Sequence, residues 1–173
     1  QFLTNGEPTH LAGSIEWNPN KYGLNKVIVG NYNLNLGQGL TYWNGLAFGK
    51  TAYSTDIIRT GPSASSYASA NEFDYFSGLA INYDLSDQVG VLFFVSSRHK
   101  DAAIKDGKTS DYFSSFQRSG YQRTNTEISN SKTINENLAG MRINSFIGKL
   151  RLSVNASFNK YSLPLLKNNA WQN

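Results

Sequence analysis

The feature that most constrains the fold is a strict alternation of apolar and polar side chains over residues 149–161. The apolar positions are Leu150, Leu152, Val154, Ala156 and Phe158. Successive side chains of a β-strand point to opposite faces, so this segment is predicted to form a strand with one apolar and one polar face. Such a strand lies between two different media.

Five further segments show the same period of two and predict strands of about ten residues. They are residues 10–17, 26–36, 76–85, 88–98 and 136–144, and the fourth of them is a candidate to continue to residue 104. No run of about 18 apolar residues occurs, which excludes a transmembrane helix. The chain is therefore predicted to be all-β.

The connections between these strands alternate in length. The links after the first, third and fifth strands are fairly short, whereas residues 37–73 and 106–134 form two long loops. Transmembrane β-barrels have short turns at one end and long loops at the other, and strands of about ten tilted residues fit a bilayer. The pattern favours an antiparallel transmembrane barrel, with a soluble β-sandwich as the alternative, because alternation alone fits both.

The composition excludes several classes of function. The chain has no cysteine, which rules out disulfides, thiolate metal sites and cysteine nucleophiles. Its net charge of +4 is spread thinly, so we expect no binding of nucleic acid. Charged residues make up only 16% of the chain. This composition is compatible with an outer-membrane barrel, whose overall hydrophobicity stays low because only alternate residues meet lipid.

No group of residues predicts catalysis, a metal site or a cofactor. The two histidines, His10 and His99, lie on different predicted strands, and neither has a second ligand at metal-binding spacing. The run Gly37-Gln38-Gly39 lacks the spacing of a phosphate-binding loop, so its glycines are expected to allow a sharp turn or close packing. We therefore expect a protein that is not an enzyme.

Residues 30–50, GNYNLNLGQGLTYWNGLAFGK, resemble the strand-and-loop signature of large outer-membrane barrel proteins of Bacteroidota. Members are often labelled helix-hairpin-helix-containing, after a small domain upstream of the barrel. Three further elements follow in the order of that family. They are Arg59-Thr60-Gly61, the acidic-aromatic run at residues 71–78, and the motif G-x-x-R-T-x-x-E-I at residues 120–128.

The resemblance implies that residues 1–173 form one partial barrel domain of about six strands in the cell outer membrane. Barrels of this kind have at least about eight strands, so we expect the chain to be part of a longer protein. Its expected partners are outer-membrane lipid, the rest of its own barrel and other envelope proteins. The expected function is transport, or a structural role in a cell-envelope complex. The alternative is a soluble sandwich that binds carbohydrate or a protein ligand. Carbohydrate would be bound by the aromatic side chains within residues 42–48.

Polar side chains on the predicted strands are candidates for lining a water-filled lumen. In a soluble sandwich, the same side chains would form the solvated outside. On the second strand the candidates are Asn31, Asn33 and Asn35, while Ile28, Tyr32, Leu34 and Leu36 are expected to face lipid. Aromatic residues at or near strand ends on the apolar faces are expected to form a girdle, namely Trp17, Tyr83, Phe158 and Tyr161.

Two arginines on adjacent strands, Arg142 and Arg151, could form a positive patch in the lumen for anionic solutes. An equally good prediction is that they pair with Glu16 or Glu136 inside the wall. The long loops carry a second set of candidates, which either bind a ligand or partner or order the loops by pairing with one another. These are Gln38, Arg59, Arg123 and Glu127.

The long second loop also contains a helix signal. Thr124 is followed three residues later by Glu127, which is the pattern of a capping box. We therefore predict a short helix at residues 125–131.

Overall fold

The structure, a computed structural model, describes residues 13–43, 61–67, 74–105, 107, 111–118 and 124–166. Its main element is a seven-stranded sheet in which six strands follow the order β1-β2-β4-β5-β8-β9, while β3 pairs with β2. Two further strands form a separate sheet, and a short helix precedes β8. The elements are β1 (Ser14–Trp17), β2 (Leu24–Leu34), β3 (Ala64–Ser66), β4 (Phe76–Ser86), β5 (Val89–Lys100), β6 (Ala102–Lys105), β7 (Tyr112–Phe116), α1 (Asn125–Ser129), β8 (Ile134–Ile147) and β9 (Leu150–Tyr161).

Every described strand pair is antiparallel, which confirms the all-β, antiparallel prediction. The short turns that join β4 to β5 and β8 to β9 lie at the same end of the sheet, because Val89 pairs with Ser145. Both long loops leave from the opposite end. Within the described residues the sheet is open, with β1 at one edge and β9 at the other.

The long loops contain structure that alternation did not reveal. The fourth predicted strand does not continue to residue 104, because β5 ends at Lys100 and the residues after Asp101 form β6, which belongs to the second sheet. At this break the backbone N–H of Lys132 donates to the Asp101 carboxylate at 2.7 Å. The two short strands β3 and β7 were also missed, since three to five residues cannot display a clear period.

One side of the main sheet, which we call the open face, is apolar across six strands. Residues directly opposite one another in neighbouring strands share a face. One register contains Trp17, Val27, Ile81, Phe93, Met141 and Ala156. The next contains Ile15, Val29, Leu79, Val95, Ala139 and Phe158, and a third contains Tyr83, Val91, Ile143 and Val154.

The open face becomes polar towards the end that carries the long loops. The next positions in that direction are polar. Asn31 pairs with Ser77 across β2 and β4, and Asn137 of β8 pairs with Ser97 on one side and Lys160 on the other. Towards the short turns, the apolar residues continue to Ile147 and Leu150 at the very end of β8 and β9. The open face is therefore a band of apolar side chains with a polar boundary at its loop end.

The other side, the covered face, holds the hydrophobic core. The chain after β2 folds back over it, and the backbone N–H of Leu36 donates to the Tyr42 carbonyl at 2.9 Å. The Tyr42 ring then packs edge-on against Phe76 and Phe94. The buried core residues are Ile28, Tyr32, Leu34, Leu36, Ala64, Ala80, Leu92, Phe94 and Leu138.

This arrangement corrects the orientation expected for β2. Ile28 and Tyr32 are completely buried on the covered face instead of facing outward with the open face. The apolar residues that β2 adds to the open face are Val27 and Val29. Both faces of β2 are apolar over part of its length, so alternation could not say which one its own loop would cover.

The expected position of Tyr161 was also wrong. It lies on the covered face, where its hydroxyl donates to the Glu136 carboxylate at 3.0 Å. The other three aromatic residues of the expected girdle, Trp17, Tyr83 and Phe158, are exposed on the open face.

Candidate functional site

A cavity of about 370 Å³ lies on the covered face, where β8 and β9 meet the chain that follows β2. The strands contribute Arg142, Arg151, Ser153 and Asn155 to its lining. Its other wall is the loop segment with Asn35, Gly37, Gln38, Gly39, Leu40 and Trp43, together with Gly61. The volume lies at the lower end of the range for pockets that bind small molecules.

Four residues predicted from the sequence meet at this cavity, namely Asn35, Gln38, Arg142 and Arg151. Asn31 and Asn33 are not among its lining residues. Asn31 is buried, and its carbonyl accepts a hydrogen bond from the Tyr67 N–H at 2.9 Å, while Asn33 lies opposite Ser65 in the β2–β3 ladder. Arg59 and Arg123 lie outside the described residues.

Arg142 is a buried cation, with 8% of its surface exposed. Its Nε donates to the Ser153 hydroxyl at 3.0 Å and one terminal nitrogen donates to the Ser63 hydroxyl at 2.6 Å. Neither acceptor carries a charge. Buried arginines are nearly always paired with an anion, because removing a charge from water is costly. Among the described residues, Arg142 forms no ion pair.

The carboxylates that were expected to pair with the two arginines are engaged elsewhere. Glu16 pairs with Lys26 at 2.7 Å, and Glu136 pairs with Arg98 and Lys100, each at 2.9 Å. The predicted pairing of Arg142 or Arg151 with Glu16 or Glu136 was therefore wrong. None of the residues that line the cavity is acidic.

Arg151 is exposed and stands on the same cavity wall. Its guanidinium lies 5.4 Å from the centre of the Phe146 ring, directly across the β8–β9 ladder. This cation–π contact orients the Arg151 side chain. It is made by the flat face of the guanidinium and not by its N–H donors. A guanidinium has five such donors in a planar fork.

The cavity wall also contains an unsatisfied acceptor. The Oδ1 atom of Asn155 is buried and has no hydrogen-bond donor among the described residues. Since the oxygen and nitrogen of an amide can exchange places by a flip of the side chain, this position can accept or donate a hydrogen bond. Arg142 lies opposite Asn155 in the β8–β9 ladder, so a cation and an amide with an unsatisfied oxygen are neighbours.

The loop wall of the cavity is shaped by a left-handed turn. Gly37, Gln38 and Gly39 have φ angles of 63°, 54° and 82°, and the turn closes with a hydrogen bond from the Leu40 N–H to the Gly37 carbonyl at 3.0 Å. This confirms the sharp turn predicted for the two glycines. For Gln38, which has a Cβ, the left-handed conformation costs about 1–2 kcal/mol. The turn places Gln38 at the cavity.

Glu127 has an ordering role. Its backbone N–H donates to the Thr124 hydroxyl at 3.2 Å, and its carboxylate accepts from the Thr124 N–H at 3.1 Å. Both halves of the predicted capping box are present at the start of α1, so the helix prediction is confirmed.

A second charged group on the covered face is a cluster around Glu136, a residue that the sequence predicted only as a possible partner of Arg142 or Arg151. Glu136 is 3% exposed and accepts hydrogen bonds from Arg98, Lys100, Asn159 and Tyr161 at 2.9–3.1 Å. The cluster connects β5, β8 and β9 at the loop end of the sheet. Its members are mutually satisfied, which makes it a structural tie. The basic pair at positions 98 and 100, two residues apart on one face, was the only signal for it.

In the parts of the chain that the structure describes, no three potential metal-ligating side chains come together. No helix among the described residues is long and apolar enough to cross a membrane. No protein-family model, curated protein or solved structure matches the chain. What the chain does must therefore follow from its two faces and its cavity.

Proposed function

We propose that the chain is a sector of a transmembrane β-barrel in the cell outer membrane, and that its open face contacts lipid. The observation that carries the proposal is the apolar band that crosses six strands of the sheet. Val154 and Phe158, at the centre of β9 and near its end, are each 70% exposed. A large contiguous apolar surface of this kind marks contact with a membrane or with another protein.

The distribution of polar groups supports lipid as the occupant. The charged side chains of the two strands β5 and β8, namely Arg98, Lys100, Glu136 and Arg142, all lie on the covered face. This is the inverse of a protein in water, in which the exposed face of a sheet is the polar one. Transmembrane barrels instead alternate apolar residues towards lipid with polar residues towards the lumen.

The height of the band fits a bilayer. From Ala139 to Ile147, the open face of β8 extends over eight residue-to-residue steps, or about 26 Å along the strand. At a strand tilt of about 40° this becomes a band about 20 Å tall, close to the apolar belt of outer-membrane barrels. Trp17 and Tyr83 lie at or near the short-turn ends of their own strands, β1 and β4, as members of an aromatic girdle would.

The first partners that we propose are strands that pair with the two open edges of the sheet. β1 and β9 each leave one side of their backbone unpaired within the described sheet, and unpaired edges do not persist in the hydrocarbon of a membrane. We propose that other strands of the same barrel complete both edges. In line with its resemblance to the Bacteroidota barrel family, we propose that the complete barrel functions in transport or has a structural role in an envelope complex.

A soluble β-sandwich is the weaker candidate. It would need a second sheet packed over the apolar band. The second described sheet, β6–β7, instead packs near the loop end, where Phe113 contacts Phe116 and Tyr161. Tyr42, one of the aromatic residues considered for carbohydrate binding, is held in the core against Phe76 and Phe94.

The proposal is tested by expressing the chain within its native protein and fractionating the cells. We expect the protein in the outer-membrane fraction, resistant to washing with alkaline carbonate and released only by detergent. Recovery as a monomer in buffer without detergent would contradict the membrane proposal and favour the sandwich.

A further inference from the structure

The cavity on the covered face combines features that a purely structural pocket does not need. Arg142 is buried there with two hydroxyl partners and no anion among the described residues. A second guanidinium, that of Arg151, lines the same space. Two like charges beside one cavity repel each other, and a negatively charged occupant would relieve both that repulsion and the cost of burying Arg142.

The neutral groups of the wall describe the rest of the occupant. The side chains of Asn35, Gln38 and Asn155 belong to the lining, and the Asn155 Oδ1 atom has no donor among the described residues. Amides both donate and accept hydrogen bonds, so they complement hydroxyl groups, which do the same. The wall therefore suits a ligand with a charged end and a hydroxylated body.

We propose that this cavity binds a small hydroxylated solute carrying an oxyanion, either a carboxylate or a phosphate. A guanidinium binds either group through two parallel N–H···O bonds, which makes Arg142 and Arg151 the anchors of the negative end. The volume of about 370 Å³ suits a solute the size of a sugar acid or a sugar phosphate. The binding proposal does not require that the protein spans a membrane. Only the location of the cavity in a barrel lumen rests on the proposed function.

Binding is measured by isothermal titration of the full chain, purified in detergent, with three probes. Glucuronate carries a carboxylate, inorganic phosphate carries the other oxyanion, and glucose has hydroxyl groups without a charge. We expect saturable binding of at least one of the two anions, and no measurable binding of glucose. Binding of glucuronate alone assigns the site to carboxylates, and binding of phosphate alone assigns it to phosphates.

Two variants connect the signal to the cavity. Arg142→Gln and Arg151→Gln should each weaken anion binding by about tenfold or more, because each removes a charge-assisted contact. Arg151 is exposed, so its variant remains informative if Arg142→Gln does not fold. Arg118→Gln is the matched control, since Arg118 pairs with Asp74 at 3.2 Å and is not a lining residue.

Binding of neither glucuronate nor phosphate would overturn the inference, and so would anion binding that both cavity variants leave unchanged. These outcomes are separable from those of the membrane proposal. A protein that integrates into the outer membrane but binds no anion keeps the barrel and loses the site. A protein that needs no detergent but binds an anion through Arg151 keeps the site and loses the barrel.

Discussion

Phe94 on β5 lies directly opposite Gly140 on β8, and its ring occupies the space that a side chain at position 140 would fill. A Cβ atom on Gly140 would collide with both the Phe94 ring and the backbone carbonyl of Ala156. The ring can therefore lie low on the covered face, where Tyr42 packs edge-on against it with the ring centres 6.4 Å apart. This pair sets how closely the loop segment approaches the sheet.

The substitution Gly140→Ala should consequently reduce the free energy of unfolding by about 1–3 kcal/mol, the usual cost of overfilling a packed core. The measurement is a urea unfolding midpoint of the detergent-refolded protein. Gly13→Ala is the control, because a Cβ on Gly13 would meet no atom within 4 Å. Equal stability of the two variants would contradict the packing described for Phe94.

Glu136→Gln should be more damaging. The change removes the buried carboxylate that pairs with both Arg98 and Lys100, and breaking a buried ion pair in this way typically costs about 3–5 kcal/mol. Thermal unfolding of the refolded protein would show the loss. Asp74→Asn breaks the exposed pair with Arg118 and should cost at most about 1 kcal/mol. A similar loss in both variants would argue against the structural role of Glu136.

Thr124→Ala should loosen the second long loop without affecting the sheet. It deletes the hydroxyl that accepts from the Glu127 N–H, and the loss of such a cap costs about 0.5–2 kcal/mol of helix stability. Hydrogen exchange at the amide of Glu127 should accelerate, while amides of β5 and β8 keep their protection. Thr126→Ala, inside α1, serves as the control. Unchanged exchange at Glu127 would show that the capping box does not order this loop.

Val154→Arg should block insertion of the barrel. A cation on the lipid face near the middle of a bilayer costs about 2–4 kcal/mol. Val154 is 70% exposed and pairs with Ile143, halfway along the open face of β8 between Ala139 and Ile147. The readout is the fraction of protein that folds into lipid vesicles. Asn137→Arg places the same charge on the open face, but in its polar boundary, and should insert normally. Normal insertion of Val154→Arg would contradict contact with lipid.

The sequence predicted most of the sheet, because strands that separate two media must alternate. Residues 149–161 coincide almost fully with β9, Leu150–Tyr161. The orientation of β2 could not be predicted in the same way. Val27 and Val29 make one of its faces apolar while Ile28 and Tyr32 make the other apolar, and only the fold of the loop after β2 decides which is covered.

The candidate site, like the sheet, was predicted from the sequence only in part. Arg142 and Arg151 were expected on adjacent strands, and strand pairing places both at one cavity. That Gln38 joins them depends on a left-handed turn and a long loop, whose path no local pattern specifies. The cluster around Glu136 depends on strand register, since Arg98 reaches Glu136 only because the two are paired across β5 and β8.

The central claim, that the open face meets lipid, can be tested residue by residue along β9. The chain has no cysteine, so single cysteines can be placed at each position from 150 to 160 and labelled with a nitroxide in the vesicle-reconstituted protein. We predict a period of two. Labels at Leu152, Val154, Ala156 and Phe158 should collide with lipid-soluble oxygen and be shielded from a water-soluble nickel complex. Labels at these four positions that collide mainly with the nickel complex would contradict the account.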